Sequence, residues 1–96
     1  MATYMVLGSY TQQGIEGIKD RPARRERVMK RLKDNGCELI SAHMAMGRFD
    51  LVLMVDAPND AAVAKVVLGM GASGNVSTET VRLFNESEVD GIIAAV

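Results

Sequence analysis

The chain has 96 residues, 48% hydrophobic but only 4% aromatic, so it holds one core's worth of apolar material, filled by aliphatic side chains and seven methionines rather than rings. Those figures exclude a second domain and a disordered chain. The net charge of −1 is unevenly spread: eight of the eleven basic residues fall between Lys19 and Lys33, and the chain beyond Glu38 is acidic on balance.

The opening stretch MATYMVLGSY has neither a basic leader nor a long apolar run, so it reads as neither a signal peptide nor a membrane span. The single cysteine, Cys37, has no intrachain partner, which fits a reducing compartment and a cytoplasmic protein. Thr3 to Tyr10, rich in Tyr, Met, Val and Leu, predicts a first strand. Thr11 is placed to cap a short helical turn carrying Ile15 and Ile18. Asp20 then offers an N-cap with Pro22 in the first turn, and Val28, Met29 and Leu32 recur at helical spacing until Asp34-Asn35-Gly36.

Glu38 to Met46 predicts the second strand, Gly47-Arg48-Phe49-Asp50 a tight connection, and Leu51 to Val55 the third strand. Pro58 and Asn59 or Asp60 open a helix whose Ala61 to Leu68 stretch holds one charge, Lys65, so it is expected to be buried on most sides. Val76 to Phe84 predicts the fourth strand. Asn85 and Glu88 are spaced as a capping box, and Val89, Ile92, Ile93 and Val96 trace one apolar face of a terminal helix.

The order is β-α-β-β-α-β plus a C-terminal helix over residues 1–96. It predicts a single α+β domain of the ferredoxin-like kind: four antiparallel strands in spatial order 4-1-3-2, with both helices on one face. A sheet wet on its far side shows polar residues at every second position, and Leu51-Val52-Leu53-Met54-Val55 shows none. Leaving four or five such side chains on water forgoes ~6–15 kcal/mol, comparable with a domain's net stability. The expected cover is a second copy of the same sheet about a two-fold axis, giving a dimer of α+β barrel type or a higher homo-oligomer. In the second strand, alternation sets Ile40, Ala42, Met44 and Met46 on one side and Leu39, Ser41, His43 and Ala45 on the other. That strand is a sheet edge without the Lys or Pro that blunts edge pairing.

With these elements placed, the segments MATY, YTQQGIEGIKDRP (Tyr10 to Pro22), GRFDLVLMVDAPND (Gly47 to Asp60) and GNVSTETVR (Gly74 to Arg82) resemble the GYD-domain family almost end to end. The resemblance implies a ferredoxin-like layout whose sheets stack in dimers, and it carries no reaction with it. Where the family usually has Tyr this chain has Phe49, so a phenol is absent there while an aromatic plug beside the hairpin remains.

Candidate chemistry is sparse. Gly69 to Gly74, GMGASG, matches G-x-G-x-x-G, but a dinucleotide site needs a strand before it and a helix after it; here the order is reversed, so the glycines read as a helix end and a wide turn. His43 is the chain's only histidine, the side-chain type suited to acid/base work near neutrality. Its strand offers no metal ligand close by, and Cys37 lies ~20 Å away along it, too far for a nucleophilic pair. If His43 faces away from the helices it lines a cleft between stacked sheets, with Tyr4, Ser9, Tyr10 and Arg82 as candidate ligand-binding neighbours and Phe49 and Asp50 at the hairpin. Asp50 reads first as a hairpin cap.

The basic helix offers Arg24, Arg27 and Arg31 as one stripe, interrupted by Glu26 and Asp34 and lacking interleaved aromatics, so a solvated face is expected and nucleic acid is disfavoured. The expectation is therefore an oligomeric module that binds a small ligand or another protein, with no cofactor, no metal and no membrane. The alternative is a cofactor-free enzyme of oxygenase or isomerase type, with its pocket between sheet and helices or between stacked sheets, His43 as acid/base and Tyr10 orienting the substrate.

Overall fold

In a computed structural model that describes residues 1–96, Ala2–Tyr10 forms strand β1 at the centre of the sheet. Helix α1 (Gln12–Glu16) follows at once, capped by the Thr11 hydroxyl accepting the Gly14 N–H, and a single 3-10 turn (Ile18–Asp20) leads into helix α2 (Arg21–Asp34). Strands β2 (Glu38–Met44) and β3 (Leu51–Ala57), helix α3 (Asp60–Ala72), strand β4 (Val76–Leu83) and helix α4 (Glu86–Ala94) complete the chain. The sheet runs β2-β3-β1-β4 with every neighbouring pair antiparallel, the expected ferredoxin-like α+β topology.

The pairing register assigns each strand residue to a face. Tyr4, Val6 and Gly8 of β1 align with Val55, Leu53 and Leu51 of β3 and with Arg82, Thr80 and Thr78 of β4. This row faces α2 and α3: Tyr4, Val6, Ala57, Ala62 and Val63 make one buried cluster, and Leu32, Val55, Val66, Met70 and Val76 make the other. Both predicted caps of the later helices are present. Asn59 accepts the Ala62 N–H, and Asn85 exchanges hydrogen bonds with Glu88 in a full capping box. Asp20, by contrast, makes no side-chain cap.

Three local expectations are corrected. A β-bulge between Leu39 and Ser41 breaks the alternation of β2, so Leu39 aligns with Val55 on the helix side, together with Ala42 and Met44, while Ser41 and His43 lie on the opposite row. Helix α3 runs on through Gly69 and Gly71; its end is set later, where Gly74 takes φ 83°. The absent Cβ at Gly69 leaves room for the Arg31 guanidinium, which a methyl there would strike. Finally, α3 is covered on one face only, since Leu68 remains 72% exposed on the other.

A further close approach fixes α1. The Thr11 amide donates to the Asn75 carbonyl at 3.1 Å, the Thr11 hydroxyl to the Gly74 carbonyl at 2.6 Å, and the Gln13 amide to the Ser73 carbonyl at 3.1 Å. A Cβ on Gly14 would run into the Asn75 carbonyl oxygen itself. Gly14→Ala is therefore expected to lower stability by about 1–3 kcal/mol, the range for forced overpacking. Gly71→Ala, in open space on a helix, is expected to raise it by ~0.5–1 kcal/mol. Urea midpoints of the two variants measure both.

Candidate functional site

Three places in the molecule gather candidate chemistry: the helix-free sheet face, a polar cluster joining the last strand to the last helix, and a groove between α2 and the sheet. The helix-free face carries the other register of each strand. Met54 aligns with Met5 and Met5 with Val81; Val52 aligns with Leu7; Leu83 aligns with Thr3. All six of these apolar residues are half-buried, with no element laid over them. Polar groups ring them, including Glu38, Asp56, Glu79, Ser77 and Ser9, and Thr3 donates to Asp56 at 2.6 Å. An apolar centre within a polar rim is the composition of a protein interface.

Two whole-molecule quantities agree with an uncovered surface. The accessible area is 6253 Å², against about 5,400 Å² for a compact monomer of this mass. The radius of gyration is 14.5 Å, where about 12.5 Å is usual. Much of the extension is α4, which scarcely contacts the remainder of the chain and presents Ile92 and Ile93 to solvent.

The polar cluster is built on Arg82. Its guanidinium lies 4.4 Å from the centre of the Phe84 ring and 5.7 Å from that of Tyr4, and it pairs with Glu88 at 3.2 Å. The Asn85 amide and the Arg82 guanidinium hold the Glu88 carboxyl below its ordinary range. Tyr4, almost fully buried, donates its hydroxyl to Asp60 in the first turn of α3. That hydrogen bond, reinforced by burial, raises the phenol's pKa. The cluster thus ties β1, β4, α3 and the start of α4 together, and its groups are satisfied by one another.

The groove has an apolar floor made by Val28, Leu39, Leu51, Leu53, Met70 and Val76, and encloses about 110 Å³. Five arginines border it, Arg21, Arg24, Arg25, Arg27 and Arg31, and no carboxylate does. Part of the cluster expected to be solvated is turned inward. Arg24 donates to the carbonyls of Gly14 and Gly17, and Arg31 lies over Gly69. Tyr10 stands at one end of the groove, its hydroxyl accepting from Arg21 Nε at 3.2 Å and its backbone N–H donating to Asp50 at 2.8 Å. Asp50 therefore terminates β1 rather than capping its own hairpin.

The residues singled out from the sequence are thus divided. Tyr4, Tyr10 and Arg82 belong to the helix side, Ser9 to the helix-free side, and Phe49 to the exposed hairpin, where Arg48 stacks over it at 5.5 Å. His43 is exposed on the edge strand, opposite Val52 in register and bordering the groove at its lip. Cys37 sits against both core clusters, and burial pushes its thiol upward, keeping the poorly nucleophilic protonated form at neutrality. What sequence reasoning missed is that Arg24 and Arg31 of the expected solvated stripe turn inward. Positions 21, 25, 28 and 32 share one stripe at helical spacing, and Arg21 and Arg25 on it stay exposed at the rim of the groove.

Fold and register define a ferredoxin-like α+β domain with one uncovered sheet face. Residues 4–93 match the GYD domain, and the chain belongs to that family. It is 32% identical over 81 residues to the glutamine synthetase and cystathionine beta-lyase binding protein of Thermus thermophilus, covering 83% of this chain and 85% of the relative. Among solved structures it is similar in fold to FFRP-DM1, with a TM-score of 0.61 and 14% identity over 88% of this chain and all of that one. It is also similar to MtbAldR, with a TM-score of 0.64 and 17% identity over 88% of this chain and 52% of that one. No helix is long and apolar enough to cross a membrane.

The Tyr4 link gives a pH dependence of definite sign. The folded chain holds the Tyr4 proton above the ordinary value near 10. The link's stability is therefore complete below about pH 10 and declines as pH rises further, because the unfolded phenol ionises first. Tyr4→Phe is expected to cost about 1 kcal/mol at pH 8 and to flatten the alkaline fall in urea midpoint between pH 9 and 11.

Proposed function

We propose that this chain is a protein-binding module that works as a self-associated assembly, with the helix-free sheet face as the contact between copies. The observation that carries the reading is the cluster of six apolar side chains at the centre of that face, aligned across three strands and ringed by polar groups. The accessible area exceeds that of a compact monomer by roughly 800–900 Å², an excess shared by the uncovered sheet face and the projecting α4. A second copy is the occupant that fits, because a two-fold axis sets the same apolar centre against itself and leaves the acidic rim in solvent. The exposed apolar side of α4 gains cover in the same assembly.

Beyond the self-contact, the Thermus relative's name supports an enzyme as the bound protein. The cytoplasm is the compartment in which we place this activity. The self-associated body presents its remaining surfaces, including the hairpin with Arg48 and Phe49, in two or more copies.

Light scattering at low micromolar concentration is expected to give a mass of at least twice 10.4 kDa for the wild type. Met54→Lys, which sets a cation at the centre of the face, is expected to give a folded monomer. A wild-type monomer under those conditions refutes the self-association. Enzyme binding is tested separately with purified glutamine synthetase and cystathionine beta-lyase: binding to either at 10 μM or below is expected, and binding to neither removes that part alone.

A further inference from the structure

We infer that the groove between α2 and the sheet is a binding site for a small organic carboxylate with an apolar tail of about five to seven carbons. The inference goes beyond the protein-binding reading and is independent of it, because the groove opens on the helix side of the sheet.

The first observation is a mismatch between floor and rim. The stripe of α2 directed at the sheet should be apolar along its length, and at Val28 and Leu32 it is. At Arg25 and Arg21, one and two turns earlier, it is cationic, and both side chains stand exposed at the rim of the groove that Leu39, Leu51 and Leu53 floor. These two guanidinia are hydrated in the free protein, and at the rim of an apolar floor they are placed to fork onto a carboxylate. The ion pairs of the chain are Lys30 with Asp34 and Arg82 with Glu88, so none of the five groove arginines has a carboxylate within the fold.

The second observation is that one of these arginines is held ready. Asp50 accepts the Tyr10 N–H, fixing the end of β1; the Tyr10 hydroxyl accepts from Arg21 Nε. That contact orients the guanidinium while leaving both Nη groups for a ligand, the fork geometry that matches a carboxylate. Tyr10 is a positioning residue in this arrangement. Arg25, one turn along the same stripe, supplies the second cation.

Size and charge select the ligand. About 110 Å³, at roughly 10–15 Å³ for each water held, is room for about seven to eleven waters, which a short acyl chain displaces. A zwitterionic amino acid brings an ammonium into a rim that has no acid to receive it. A carboxylate head at Arg21 and Arg25, with its tail along Leu51, Leu53 and Val28, satisfies both the rim and the floor.

The test is an NMR titration of methyl-labelled protein with hexanoate, hexylammonium and acetate. Hexanoate is expected to saturate with a Kd below 1 mM and to shift the methyls of Val28, Leu51 and Leu53 rather than those of Val52 and Val81 on the opposite face. Hexylammonium and acetate are expected to bind at least tenfold more weakly, the first for want of charge complementarity and the second for want of a tail. Arg21→Gln with Arg25→Gln, both exposed on a helix, should weaken hexanoate at least tenfold with the unliganded spectrum kept, and Tyr10→Phe severalfold. The proposal is overturned if hexylammonium or acetate matches hexanoate, if the shifts fall on the opposite face, if the double variant binds as well as wild type, or if hexanoate fails to saturate by 10 mM.

Discussion

The constraint on which this molecule turns is that its central strands are apolar on both sides while its helices can lie on only one. β1 and β3 each contribute residues to two faces, Tyr4, Val6, Leu53 and Val55 to one, Met5, Leu7, Val52 and Met54 to the other. The crossovers from β1 to β2 and from β3 to β4 share a hand, so α2 and α3 necessarily cover the same face. Only 12 of 96 residues become fully buried as a result, too few for a chain this hydrophobic to account for all its apolar surface. The fold is thus settled on one side and open on the other.

The covered side is itself unevenly filled. Toward the C-terminal half of α2, Leu32 joins Val55, Val66 and Met70 in a continuous core. Toward its N-terminal half the same stripe bears arginines, and the helix stands over a groove instead of closing on the sheet. Around that groove, α1 is anchored to the loop between α3 and β4 by Thr11, Gln13 and the close approach at Gly14. The mouth of the groove is therefore framed by backbone held at short range, and the side chains that border it are the adaptable part.

Much of the fold was legible in the sequence because the signals were redundant. Strand order, the Thr11 and Asn85 caps and the double-faced character of β3 each followed from pattern and propensity together. What was not legible depended on a third element. The face of His43 hinges on the bulge at Ile40, which is a property of how β2 meets β3 and leaves no mark on β2 alone. Gly69 and Gly71 read as helix breakers, yet α3 runs through both, and at Gly69 the missing Cβ serves the close approach of Arg31 from α2. Arg24 and Arg31, taken as part of a solvated stripe, are held instead by the carbonyls of Gly14 and Gly17 and by the space over Gly69, partners on other elements that leave no mark on α2 alone.

The bulge has a wider effect than turning one side chain. β2 is an outer strand, and a straight one would offer an unbroken row of amides and carbonyls to any passing chain. By interrupting that row between Leu39 and Ser41, the extra residue spoils the template on which sheets add strand after strand. Growth sideways into ribbons is discouraged at that border, and contacts stacked through the broad surface are left as the route to a finite, closed particle.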